Sequence, residues 1–204
     1  MVFEESDIQT CLRKAVEIRD LYDLYVLNGK ARMKSVDDLT WVCVEYLEKR
    51  ITIEYADIPV EGSSIKAAFL ALDDGSYRIG LLTGMSEEEE RFVLCKELFH
   101  VIFDEDSRRS LDLESHLEDY TTNIVVDDGR PNCAAAWETL AEIAATEFLL
   151  PFEVREAHLN SGNAVDFAKL ATRYGLPRLH VEIACGTGNL SYIRKHMKAA
   201  GLID

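Results

Sequence analysis

Between Arg91 and Phe103 the chain carries a stretch that is patterned as a helix and apolar enough to be buried. Phe92, Val93, Leu94, Cys95, Leu98, Phe99, Val101, Ile102 and Phe103 cover nearly the whole circumference of a helical projection. A helix apolar all round belongs inside a core. Ser86 stands where an N-terminal cap is wanted, and Glu87 to Glu90 fill the first turn, where negative charge suits the helix dipole. Three residues break the apolar surface. Lys96 and His100 are four apart and share a face, with Glu97 at its edge. Charged side chains in a buried helix are costly unless paired or bound to an ion, so this strip predicts a polar site within the fold.

The rest of the chain supplies the elements around that helix. Asp7–Leu27 reads as an amphipathic helix stopped at Asn28-Gly29, and Val36–Lys49 as a second, with Ser35 placed to cap it. Ile51–Tyr55 alternates like a short strand. Ile65–Leu72 and Tyr77–Leu82 flank Asp73-Asp74-Gly75-Ser76, a hairpin signal. Tyr77–Leu82 is the strand expected at the sheet edge, open to an added peptide strand. A polar, acidic insert follows at about 104–132, with a turn at Asp127–Pro131. A helix from Cys133 to Leu150 is stopped by Pro151. Short helices are expected to fill Phe152–Ala200, interrupted at Gly162, Gly175-Leu176-Pro177 and Gly186-Thr187-Gly188. The order predicts an α+β fold, mostly helical, with a small sheet of three strands. The expected division is residues 1–151, carrying the insert, and a helical C-terminal part, 152–204.

The net charge of −15 over 204 residues argues against non-specific nucleic-acid binding. The charge is uneven: Phe152–Asp204 holds 7 Lys/Arg against 5 Asp/Glu. The tail is therefore the one part where a nucleic-acid contact is plausible, and its helices faintly resemble a helix-turn-helix. No apolar run approaches the roughly 18 residues that span a bilayer, and Met1–Thr10 is acidic and polar, unlike a signal peptide. Cys11, Cys43, Cys95, Cys133 and Cys185 are odd in number and scattered. Buried or free thiols in a reducing cytoplasm are the expectation.

The chemistry centres on Lys96-Glu97-Leu98-Phe99-His100, one residue away from His-Glu-x-x-His. In that motif two histidines one helical turn apart hold zinc, and the glutamate is the general base. Here a lysine stands at the first ligand position. A catalytic zinc needs three protein ligands and an open position, and the helix after the insert offers a carboxylate. Glu138, Ala141, Glu142 and Ala145 share a face whose alanines permit close helix approach. Glu138 is the candidate ligand, with Glu142 behind it to orient the partners.

Arg91-Phe92 leading into Lys96–His100, followed by Glu138, Ala141 and Phe148-Leu149-Leu150-Pro151, resembles the ImmA/IrrE family of metallopeptidase-like proteins. The resemblance implies a zincin-like fold with the small sheet packed on the motif helix. It implies zinc held by His100 and Glu138, with Glu97 as the catalytic base. It implies a protein substrate, commonly a helix-turn-helix repressor in a phage, mobile-element or stress setting. Lys96 departs from the pattern, because a protonated lysine has no lone pair for a metal. His116 in the insert is a candidate replacement imidazole, and His158, His180 and Tyr174 are candidates to stabilise an oxyanion. Two readings follow. One is a zinc endopeptidase-like protein acting on a regulatory protein, with metal binding and proteolysis weakened or lost. The other is a non-catalytic interaction module in a phage, mobile-element or toxin–antitoxin system. A DNA-binding regulator using the tail is a third, disfavoured by the acidity.

Overall fold

The fold was derived from a computed structural model that describes residues 5–30, 32–59, 66–104, 133–160 and 165–204. The acidic insert, His116, the Asp127–Pro131 turn and Gly162 lie outside the described residues. Helix α1 (Glu5–Tyr22) runs into a π-helical turn (Asp23–Leu27) that ends at Asn28 in the left-handed conformation. Helix α2 (Val36–Glu45) starts where Ser35 accepts from the Asp38 amide, as the sequence predicts. Strands β1 (Arg50–Pro59), β2 (Ala67–Ala71) and β3 (Ser76–Thr83) precede α3 (Glu87–Phe103), whose first turn is capped by Ser86 accepting from the Glu89 amide. Then come α4 (Cys133–Leu149), α5 (Phe152–Asn160), α6 (Phe167–Tyr174), α7 (Arg178–Ala184) and α8 (Thr187–Ala199).

The architecture is α+β and zincin-like, mostly helical, with one sheet of three strands among the described residues, set against the motif helix. The strand order is β1-β3-β2: β1 lies parallel to β3, and β2 is antiparallel to β3 through the Asp73–Ser76 turn. This corrects the edge assignment. Tyr77–Leu82 belongs to the central strand, so both of its backbone edges are paired, and β2 is the outer strand next to α3. The physical reason is burial on one face. Tyr77, Ile79 and Leu81 of β3 are all nearly inaccessible, as expected of a strand covered by the helices.

The core forms where α1, α3 and α4 meet. Helix α1 buries Ile8, Cys11, Leu12, Ala15, Ile18 and Tyr22, a helical spacing, against α4. On α4, Ala141, Ala144 and Ala145 are fully buried, so small side chains permit the close approach. Phe148 receives the edge of Tyr22 at a centroid distance of 5.3 Å and lies 6.0 Å from Phe99 of α3. The apolar cluster continues through Leu170, Val181, Ile193 and Met197 of the tail. Beneath the tail lies a buried ionic network. Glu147, with no exposure, accepts from Arg155 at 2.6 Å, from Arg19 at 3.1 Å and from the Phe152 amide at 3.0 Å.

Candidate functional site

Helices α3 and α4 bring the motif residues together. Lys96 and Glu97 project from the middle of α3, and His100 follows one turn after Lys96. Glu138 comes from the N-terminal half of α4. Lys96 Nζ donates to Glu138 Oε2 at 2.5 Å and lies 3.2 Å from Glu97 Oε1. His100 Nε2 lies 3.0 Å from Glu138 Oε1, out of hydrogen-bond alignment, and Glu97 Oε1 likewise has no aligned donor. Glu97 and His100 are buried, whereas the Glu138 side chain keeps 36% of its exposure. The site is therefore wet at the Glu138 end and dry at the Glu97 end.

Electrostatics follow from that arrangement. Burial alone would lower the Lys96 pKa, but the charges of Glu97 and Glu138 outweigh it and hold the ammonium above its ordinary value. Burial would likewise raise Glu138. The contacts with His100 and Lys96 overcome it and bring the carboxyl down to about 2. Lys96 is therefore a fixed cation between two carboxylates, and Glu138 is a fixed anion.

This donor set does not fit a three-ligand catalytic zinc. The lysine stem turns inward rather than away from the site, and its ammonium occupies one oxygen of the candidate carboxylate ligand. An ammonium offers no lone pair, so His100 and Glu138 remain as two donors where three are required. Among the described residues, no group of three His, Cys, Asp or Glu side chains converges as a cation site.

Glu142 is placed elsewhere. It is exposed and points along α4 toward His180, whose Nδ1 is 3.9 Å away; its expected place behind Glu138 is corrected, because one turn of rise along the same helix face carries it to a different partner. His180 is half-buried, packs against the Phe92 ring at 3.9 Å and meets Thr146 Oγ1 at 2.8 Å. Desolvation, then the charge of Arg155, pushes its pKa down to about 4. Tyr174 closes α6 with its ring 5.8 Å from the Arg173 guanidinium, and His158 lies in the last turn of α5.

Phe69 of β2 is the residue that sequence reasoning missed. Its ring lies parallel to the His100 imidazole, 5.1 Å between centroids and 10° between planes. The outer strand thus forms one wall of the site and fixes the histidine ring. Its inward position in an alternating strand is a weak signal, and nothing in the sequence pairs it with position 100. The basic side chains of α8 are partly neutralised: Arg194 pairs with Glu156 and Lys195 with Glu5. Among the described residues, no helix is long and apolar enough to cross a membrane.

No curated protein matches the chain. A solved structure described as a Mycobacterium tuberculosis transcriptional regulator aligns over 86% of this chain and 50% of its own, with 15% identity and a TM-score of 0.46. The chain thus spans about half the length of that protein. The family model for the IrrE N-terminal-like domain, Peptidase_M78, matches residues 49–185, from the start of β1 to the end of α7. Sheet, motif helix and the Glu138 helix all fall within that match, and the chain belongs to the IrrE N-terminal-like, Peptidase_M78 family.

Proposed function

We propose that this chain uses the metallopeptidase fold as a binding module for a regulatory protein, with Lys96 taking the place of zinc as the cation of the site. The observation that carries the reading is the position of Lys96 Nζ, 2.5 Å from Glu138 and 3.2 Å from Glu97. A metallopeptidase needs an ion there to polarise water and the scissile carbonyl. An ammonium supplies charge but no ligand position, and Glu97 is held next to it. Proteolysis by the zinc route is therefore weakened or absent in this reading. Family membership supports a regulatory protein, such as a helix-turn-helix repressor, as the partner. The outer strand supports the mode: among the described residues β2 pairs with β3 alone, which leaves an edge beside the site on which an extended segment can add as a further strand.

Elemental analysis of untagged protein tests the reading, on wild type and on Lys96→His. Wild type is expected to hold far less than one equivalent of zinc, and Lys96→His to bind it, since the substitution restores a third donor beside His100 and Glu138. A stoichiometric zinc in wild type would overturn the proposal. Failure of Lys96→His to bind any metal would refute the placement of the three positions around one site.

A further inference from the structure

A second polar constellation lies one helical turn along α4 from Glu138. There a cleft of about 230 Å³ opens between α4, α5, α7 and α8. Ile143, Ile183, Ile193 and Tyr192 give it apolar walls, and Glu142 and His180 face each other across one side. Ile183 and Tyr192 are exposed at 57% and 46%, so the cleft is open to solvent.

The hydrogen positions can be assigned from the contacts. Thr146 Oγ1 lies 2.7 Å from the Glu142 carbonyl oxygen, which can only accept, so the hydroxyl donates there. Its oxygen must then accept from His180 Nε2–H, 2.8 Å away. Burial keeps this imidazole neutral, so Nδ1 carries the lone pair. Nδ1 faces the Glu142 carboxylate at 3.9 Å. Two acceptors therefore confront each other, one of them an anion, and among the described residues no side-chain donor is bonded to Nδ1. Among the described residues, the other charged group lining the cleft is Arg155, and it is matched internally by Glu147 at 2.6 Å.

We propose that this cleft binds the side chain of an arginine from a polypeptide. A guanidinium presents several N–H groups in a planar fork. That shape can give one hydrogen to His180 Nδ1 and another to the Glu142 carboxylate, while the aliphatic stem covers the isoleucine wall. The cleft adjoins the helix pair that carries the Lys96 site: Glu142 follows Glu138 by one turn of α4, and Phe92 of α3, one turn before Lys96, packs on His180. A segment lying across these two helices would place an arginine here. The inference rests on the protein-binding role for the source of the arginine, but the cleft itself can be tested without a partner.

The test is an NMR titration of the full chain, treated with a chelator, with acetyl-arginine-amide and with acetyl-citrulline-amide, a neutral probe of nearly the same shape. The expected result is saturable shifts at the His180 ring and the Ile183 and Ile193 methyls with the arginine probe. The citrulline probe should bind at least about tenfold more weakly, as loss of a charged hydrogen bond requires. Glu142→Gln, at an exposed position, should weaken the arginine probe to a similar extent without changing Tm. Absence of saturation, equal binding of the two probes, or an unaffected Glu142→Gln variant would each overturn the proposal. None of these outcomes bears on the metal content of wild type, so the two proposals fail separately.

Discussion

Replacing Glu138 with glutamine removes a charge but little volume, and its effect on stability should depend on pH in a defined way. A carboxyl held at about 2 instead of the ordinary 4.5 corresponds to about 3 kcal/mol of favourable interaction at roughly 1.36 kcal/mol per pH unit. The side chain is 36% exposed, and solvent screening at such a position leaves about 1–2 kcal/mol. Because the folded pKa lies below the unfolded one, the stabilisation is complete above 4.5 and is lost as pH falls toward 2. Urea unfolding of wild type and Glu138→Gln at pH 7, 5 and 3 should show a cost of about 1–2 kcal/mol at neutral pH that shrinks at the acid end. Lys96→Met should close a thermodynamic cycle with it, the two variants coupling by about 1 kcal/mol. A Glu138→Gln cost independent of pH, or additive single variants, would refute the ion pair as the origin of the stabilisation.

Further outcomes follow from other parts of the molecule. Glu147→Gln leaves Arg155 buried without its anion and should cost about 3–5 kcal/mol in urea unfolding, whereas a paired Glu147→Leu, Arg155→Met variant should recover much of that loss. Phe69→Ala removes the ring against His100 and should cost about 2 kcal/mol for a half-buried aromatic, with the His100 ring protons moving in NMR spectra. Gly175→Ala should lose about 1–3 kcal/mol, because Gly175 has φ +58° and an added Cβ would lie 2.9 Å from Met33 Sδ and 3.2 Å from Arg91 Nε. Burial raises the thiol pKa of Cys11 and Cys95 and pushes Cys43 up to about 12, so native-state alkylation of these three should be slow and become fast in urea.

The elements of this fold were legible because each is written in local chemistry. Ser86 and Ser35 cap the helices they precede, Asn28 stops the first helical segment, and Asp73–Ser76 turns the hairpin. The apolar circumference of Arg91–Phe103 marks a buried helix, and the spacing of Lys96, His100 and Glu138 places a polar site on it. Some facts required the tertiary structure because they depend on how elements approach one another. The sequence does not say that β1 joins β3 in parallel and that β2 takes the edge beside α3, since strand order is set by which faces the helices cover. It does not pair Phe69 with His100, or Glu147 with Arg19 and Arg155, because these contacts join distant segments. The four-residue step that links Glu138 and Glu142 suggests one shared site, but one turn of rise is enough that each carboxylate meets a different partner, Lys96 for one and His180 for the other. Above all, a lysine at position 96 can extend into a site or away from it, because its stem is long and flexible. Only the two facing carboxylates, brought together by the packing of α3 against α4, decide that it turns inward.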